Sequence, residues 1–252
     1  MLTLKLFGAP VVESAGRPVV GRATQGHRLA LLAVLALARG RPVTRDKLTG
    51  LLWPESPSDR ARAQLSDALY IVRSALGADV VRAAGDDLAL NDEAVTSDVA
   101  AFERLLDEGK PEDAVALHAG PLLDGFHLAD AGELERWIDG ERARLGERYA
   151  GALEALAAAA EARGDAGAAV GWWRRLASHD PYAGRIALRL MRALEGAGDR
   201  AGAIRHARVH AELLRQEFAT APDPAVLALA ERLRAEPPAA PVATPEPAAD
   251  AP

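Results

Sequence analysis

Residues 56–77 read SPSDRARAQLSDALYIVRSALG, and this stretch decides the fold that we expect around it. It opens like a helix, with Ser56 as the N-cap, Pro57 in the first turn and Asp59 placed to reach back to the Ser56 amide. At about 100° per residue, one stripe of side chains is apolar. The stripe consists of Ala61, Leu65, Ala68, Leu69, Val72 and Leu76. We therefore predict one amphipathic helix that runs to about Leu76 and ends before Gly77.

The side opposite this stripe carries groups that can contact nucleic acid. It holds Arg60, Ala63, Asp67, Tyr70 and Ser74, with Arg62, Ser66 and Arg73 along one flank. Guanidinium and hydroxyl groups can bind phosphates and the edges of bases. Asp67 argues against this reading, because a carboxylate in that place would lie near phosphates or would need a cytosine amino group.

The segments around this helix predict a winged helix-turn-helix. Leu2, Leu4 and Leu6 alternate with polar residues as in a strand, and a second short strand is expected at residues 17–20. Helices are predicted from residue 25 to 39, closed by Gly40, and from the N-cap Thr44 to the Trp53-Pro54 pair. Residues 80–82 and 88–90 bracket a turn and predict a β-hairpin. In such a domain the third helix enters the major groove and the hairpin reaches the flanking backbone.

These placements give a set of candidate DNA-binding residues on the second helix, the third helix and the hairpin. The set is Arg45, Lys47, Arg60, Arg62, Ser66, Tyr70, Arg73 and Arg82. For any single arginine, a solvated helix surface is the simpler explanation. The combination of a complete apolar stripe with an Arg-, Ser- and Tyr-bearing outer side favours DNA contact.

From Ser97 onward the pattern is helical, and it repeats. Gly164-Asp165 overlays Gly198-Asp199 at an offset of 34 residues, the tetratricopeptide period, and a more divergent unit spans residues 102–118. We expect helix-turn-helix units in which each helix pair packs on the next. The predicted fold class is therefore mainly α, a winged helix-turn-helix at residues 1–97 followed by an all-α tetratricopeptide-like repeat domain at 98–235. Residues 236–252 are rich in proline and alanine and are expected to be disordered.

Composition limits the other classes of function. The chain has 252 residues, 49% of them apolar, and no cysteine, which removes disulfides, zinc ribbons and thiol catalysis. The longest apolar run, residues 29–38, is too short to span a bilayer. Net charge changes along the chain, since residues 1–97 hold 12 Lys and Arg against 10 Asp and Glu, and 98–252 hold 18 against 26. We expect a cytoplasmic protein with a mildly basic module before an acidic one, and no contact with a membrane.

No residues for catalysis or for a cofactor stand out. His206 and His210 have the spacing of two metal ligands on a helix, but no third ligand lies at a usable spacing. Trp137 and the Trp172-Trp173 pair are read as packing residues. Glycine-rich phosphate loops and G-x-S-x-G motifs are absent from the sequence. We therefore predict neither a metal site, nor a cofactor, nor an enzyme.

At this level of detail the sequence resembles a known family. Residues 29–43, Leu51-Leu-Trp-Pro54 and residues 61–77 resemble the OmpR-like domain of the Streptomyces antibiotic regulatory protein family. The stretches 98–102, 120–126, 137–145, 173–176, 180–182 and 190–194 resemble the bacterial transcriptional activator domain of the same family. The resemblance covers about residues 2–235. At the position of Asp67, relatives often have a polar or basic residue.

The resemblance implies a transcriptional activator that binds tandem repeats in double-stranded DNA and contacts RNA polymerase holoenzyme, with a homodimer as a further option. Residue patterns alone leave a second class open. The winged domain could instead serve as a protein-interaction module in a helical scaffold or signalling adaptor that does not bind DNA. A binding constant that falls steeply with salt would separate the two, because a scaffold releases no counterions from DNA.

Overall fold

The computed structural model describes residues 1–235, which form seven strands and ten α-helices. The strands are β1 (Leu2–Lys5), β2 (Val11–Ser14), β3 (Arg17–Pro18), β4 (Val43–Thr44), β5 (Val81–Ala84), β6 (Asp87–Leu90) and β7 (Val95–Ser97). The helices are α1 (Gly26–Leu37), α2 (Arg45–Leu52), α3 (Ser58–Leu76), α4 (Asp98–Asp107), α5 (Pro111–Leu117), α6 (Gly132–Ala162), α7 (Ala166–His179), α8 (Gly184–Gly196), α9 (Arg200–Phe218) and α10 (Pro224–Ala235). The predicted tail at 236–252 lies outside the described residues. No helix within residues 1–235 is both long and apolar enough to cross a lipid bilayer.

Two small sheets frame the N-terminal helices. The first has the order β3-β2-β1-β7, in which β1 pairs antiparallel with β2 and parallel with β7. The second has the order β4-β6-β5, and its β5–β6 pair is the predicted hairpin. Strand β2 was not predicted from the sequence, and of the strand expected at residues 17–20 only Arg17–Pro18 is extended and paired. The chain turns between β2 and β3 at Ala15-Gly16, with both residues at positive φ.

Helix α1 lies at the centre of the N-terminal part because it is apolar on all sides. Every residue from Leu29 to Leu37 is buried, which a helix can satisfy only when other elements surround it. Those elements are α2, α3, α4 and β6. The helix ends at Leu37, and both Arg39 and Gly40 take left-handed conformations, so the turn needs more than the single glycine that we expected.

The chain divides into two compact units, the first being Met1–Leu156 and the second beginning at Ala157. The predicted boundary at residue 97 therefore falls inside the first unit. Strand β7 and helix α4 both contact β1, so residues just after the boundary belong to the same core as the first strand. Phe102 of α4 is fully buried and meets Phe7 edge-on, with ring centroids 5.2 Å apart.

The region after Ser97 is not helical throughout. Residues 118–131 run without a helix between α5 and α6, and Phe7 forms a bridge with Leu122 in this segment. The acidic character of 98–252 is also uneven. Residues 98–156 hold 6 Lys and Arg against 14 Asp and Glu, whereas 157–235 hold 12 against 9. The described part of the second unit is thus mildly basic.

The second unit contains the predicted 34-residue repeat as helical hairpins. Asp165 caps α7 by accepting from the amide of Ala168 at 3.0 Å, and Asp199 caps α9 by accepting from the amide of Gly202 at 2.8 Å. Each aspartate follows a glycine at positive φ. Since the same turn and cap recur 34 residues apart, the repeat is a structural unit, and the chain has the predicted fold class of a winged helix-turn-helix followed by an all-α repeat domain.

Candidate nucleic-acid interface

Helix α3 separates an inner from an outer side as the sequence predicted. Five residues of the apolar stripe are buried, namely Ala61, Leu65, Ala68, Leu69 and Val72, and Leu76 at the end is half-buried. The opposite residues are all exposed, among them Arg60, Asp67 and Tyr70. The start of the helix differs from the prediction. Pro57 is the N-cap without a side-chain bond, and the Ser56 amide donates to the Trp53 carbonyl at 3.1 Å, so no capping box forms.

The outer side of α3 presents a large aromatic side chain and a cation, which lie in different parts of the helix. Tyr70 keeps 72% of its surface exposed. This fraction is high for a tyrosine, because tyrosine side chains usually bury part of the ring. Arg60 forms no ion pair within residues 1–235 and is exposed. Asp67 lies on the same side and is exposed, so the carboxylate does face any ligand of this surface.

Two other members of the predicted set on α3 are engaged with neighbours. Arg62 forms an exposed ion pair with Asp46 of α2 at 2.9 Å, and this contact raises the pKa of the guanidinium. The Ser66 hydroxyl donates to the carbonyl of Arg62 one turn earlier, at 2.9 Å. Arg62 must exchange Asp46 for a phosphate before it can hold DNA, whereas Ser66 can rotate its hydroxyl at little cost.

Arg73 has a different role from the one that we expected. Its Nη2 donates to the carbonyl of Val81 in β5 at 2.9 Å, and its Nε is buried with no hydrogen-bond partner among the described residues. The side chain therefore connects the end of α3 to the hairpin instead of pointing along the outer side. Arg82, one residue further along β5, is exposed and pairs with Glu93 at 3.1 Å.

The N-terminal end of α2 supplies the remaining cations. Thr44 caps this helix, since its hydroxyl accepts from the amide of Lys47 at 3.2 Å, as the sequence predicted. Arg45 is half-buried and Lys47 is exposed, and neither forms an ion pair within the described part of the chain. The two cations therefore lie at the end of a helix whose dipole also favours an anion.

A groove beside α3 was not foreseen from the sequence. It has a volume of about 430 Å³ and is lined in part by His27, Trp53, Arg60 and Gln64. The rings of His27 and Trp53 stack, with centroids 4.9 Å apart and planes 5° from parallel. Burial, together with the nearby charge of Arg28, lowers the pKa of His27, so its ring is neutral at pH 7. No sequence signal connects two aromatic residues 26 positions apart, so only the fold brings them together.

Comparison with known proteins assigns the region after the hairpin. Residues 94–234 match the family model of the bacterial transcriptional activator domain. The chain belongs to this family. It is also similar to Mycobacterium tuberculosis EmbR, whose structure was solved in complex with a low-affinity phosphopeptide, at 26% sequence identity and a TM-score of 0.62. That similarity covers 94% of this chain and 66% of the EmbR chain, and no match was found among curated proteins.

The first helix of the activator domain begins with a carboxylate that binds the backbone directly after β1. Asp98 accepts from the amides of Leu6 and Phe7 at 2.9 and 3.0 Å. Its own helix contributes the Val99 amide at 2.7 Å. Burial raises the pKa of Asp98, and these amide donors oppose the rise. The first residue of α4 thus attaches the activator domain to the backbone of the N-terminal part.

A fully buried glutamate forms a second attachment between the activator domain and the winged part. Glu103 of α4 is contacted by Arg144 at 2.5 Å, by Arg148 at 3.2 Å and by Arg39, after α1, at 3.6 Å. Asp107 accepts from Arg148 and Arg39 as well, which lowers its pKa. A buried carboxylate needs such partners, because an isolated charge in the core would be strongly destabilising.

In the histidine pair of the activator domain, His210 is buried and His206 is half-buried. His210 Nδ1 lies 2.9 Å from the carbonyl of Pro181, and the Nε2 atoms of His206 and His210 are buried without a hydrogen-bond partner among described residues. Within residues 1–235, no three His, Asp or Glu side chains come together as metal ligands. The pair therefore belongs to the packing between helices.

Proposed function

We propose that this member of the activator-domain family is a sequence-specific DNA-binding regulator of transcription. Helix α3 enters the major groove with its outer side, and the β5–β6 hairpin reaches the adjacent backbone. The observation that carries the proposal is the exposed outer side of α3, where Arg60 and Tyr70 have no hydrogen-bond or ion-pair partner within residues 1–235, while the inner side of the helix is buried.

The candidate residues divide by their present contacts. Arg60 and Tyr70 are available to base edges, and Lys47 and Arg45 to phosphates. Arg62 and Arg82 contribute after they exchange Asp46 and Glu93 for phosphates, and the exposure of both ion pairs keeps that exchange inexpensive. Arg73 supports the interface through the hairpin. Ser66 donates to a base or a phosphate after rotation.

Family membership supports the activating role. Contact with RNA polymerase holoenzyme, recognition of tandem repeats, homodimerisation and a cytoplasmic location are parts of the same proposal, which rests on the family for them. The absence of an enzymatic function and of a cofactor likewise stays a prediction.

A second candidate function is supported by the charges of the interface. Asp67 faces outward, and two of the predicted cations, Arg62 and Arg82, are paired with carboxylates. A surface of that kind also suits a protein partner, which would make the chain a helical scaffold or adaptor.

The test measures binding of the full chain to a duplex selected from a random pool and to a scrambled duplex, at several salt concentrations. We expect log K to fall linearly with log salt, and Lys47→Ala to make that slope shallower by about one for both duplexes. Arg60→Ala should lose about 1–3 kcal/mol on the selected duplex only, if it reads a base. Asp67→Asn should tighten binding to the scrambled duplex, since it removes a negative charge.

Arg17→Ala is the matched control, because Arg17 is an exposed arginine of β3, in the sheet that does not contain the β5–β6 hairpin. It should bind both duplexes like the wild type. If the chain binds DNA with no salt dependence, or if the variants at positions 47, 60 and 67 all match the control, the scaffold function is favoured.

A further inference from the structure

A second concavity lies where the C-terminal end of α1, strand β4, the start of α2 and helix α6 meet. Its volume is about 350 Å³, within the range of about 300–1,000 Å³ that small-molecule sites occupy. The apolar part of its wall includes the aliphatic side chains of Val34, Leu37 and Val43, all buried. The half-buried indole of Trp137, on α6, adds a flat aromatic wall. These residues all belong to the first compact unit.

The polar rim of this concavity consists mainly of hydrogen-bond donors. Lys47 is exposed and has no partner within residues 1–235, and the indole N–H of Trp137 donates to no described residue. Arg41 uses only its Nε, which donates to the carbonyl of Ala38 at 3.2 Å. The acidic group on the rim is Glu141, and Arg144 already binds its Oε2 at 2.8 and 2.9 Å. The lining therefore includes two cations without an ion pair in residues 1–235, an indole whose N–H has no described acceptor, and one carboxylate that Arg144 already contacts.

The first turn of α2 adds to the positive potential. Thr44 and Lys47 both line the concavity, so the N-terminal end of the helix dipole lies at its rim. An apolar wall with a few convergent donors is the usual form of a site for a small organic ligand. Donors without acceptors select an acid over a neutral molecule.

We propose that this concavity binds a small organic anion that has a flat apolar body. Its carboxylate or sulfonate lies between Arg41 and Lys47 and accepts from the Trp137 N–H, and its body covers the indole ring and the aliphatic side chains. The ligand touches α1 and α2 on one side and α6 on the other, so it connects the winged part to the activator domain. The site does not require the chain to bind DNA.

The test titrates the full chain with 2-naphthoate and with its neutral isostere 2-naphthamide, by calorimetry and by the shift of the Trp137 indole N–H resonance. We expect saturable binding at one site, with the carboxylate at least about tenfold tighter than the amide, as one charge-assisted hydrogen bond would give. Arg41→Ala and Lys47→Ala should each weaken 2-naphthoate several-fold, and Arg17→Ala should bind it like the wild type.

Trp137→Phe keeps an aromatic wall and removes the N–H, so it separates the loss of a donor from the loss of the fold. We expect it to melt within a few degrees of the wild type and to reduce the preference for the acid. Three results would overturn the proposal: no saturation up to about 5 mM, equal affinity for acid and amide, or wild-type affinity in both Arg41→Ala and Lys47→Ala.

Discussion

At the scale of single residues, the clearest departure from ordinary chemistry is His206 in α9. Burial, followed by the charges of His210 and of Arg174 on α7, lowers the pKa of this ring below the ordinary histidine value of about 6.5. His210, one turn further on, is 1% exposed. A proton on the His206 ring would lie in a partly buried position near the charge of Arg174, so folding favours the neutral form of this ring.

This arrangement predicts the direction of a pH effect on stability. The folded state binds a proton at His206 less readily than the unfolded state does. The free energy of unfolding is therefore unaffected by this ring above about pH 6.5 and decreases as the pH falls below that value. Tm should therefore fall between about pH 7.5 and about pH 5.5. His206→Gln should reduce the fall without abolishing it, since His27 has a lowered pKa as well. An equal fall in both proteins would contradict the assignment.

At the scale of elements, the connection between α3 and the hairpin depends on one side chain. Arg73 donates from the last turns of the helix to a strand carbonyl, and the strand otherwise holds its place through its pairing with β6. Arg60, near the other end of the same helix, makes no such contact. The two arginines of one helix therefore allow stability and recognition to be separated.

We expect Arg73→Ala to lower the free energy of unfolding by about 1.5–3 kcal/mol, because the carbonyl of Val81 would lose its charged hydrogen-bond donor. It should also increase hydrogen exchange in β5 and weaken binding to the selected and the scrambled duplex by the same factor. Arg60→Ala is the control and should leave the urea midpoint unchanged. If Arg73→Ala is as stable as the wild type and loses discrimination between the duplexes, Arg73 reads a base after all.

At the scale of the whole molecule, the activator domain is continuous with the winged part. Asp98 binds the amides of Leu6 and Phe7, Phe102 packs on Phe7, and Glu103 is paired with Arg39. A fragment of residues 98–235 loses these partners. Removing the cover from Phe102 costs about 1.5–3 kcal/mol, and Glu103 would keep only its contacts from α6.

For the fragment of residues 98–235, we therefore expect helices α7 to α9 to persist while α4 and α5 lose protection from hydrogen exchange. Circular dichroism should show less helix than the same residues have in the full chain. The full chain is the reference, because its residues 1–97 supply the core on which α4 packs. Protection of the α4 amides equal to that in the full chain would show that residues 98–235 need no partner.

Much of the fold was predictable because it follows from local periodicity. Three features depend only on residues within one or two neighbouring elements: the stripe on α3, the hairpin around residues 85–87 and the 34-residue recurrence. The misses have local causes too: the Ser56 amide had a backbone acceptor in the preceding turn, and β2 pairs with β1 although its own pattern is short. The candidate site was predicted as a helix face, but the sequence did not show which of its residues are free and which contact neighbouring elements.

The sequence by itself determined the helices of the N-terminal part, the helical repeat of the second unit, the apolar side of α3, and the cations, serine and tyrosine on its outer side. Tertiary structure alone decided that Arg73 holds the hairpin, that Arg62 meets Asp46, and that Arg41, Lys47 and Trp137 share one concavity. The physical reason is distance along the chain. Periodicity reports which neighbours on one element share a face, whereas a contact between elements depends on how their faces pack, which no local pattern records.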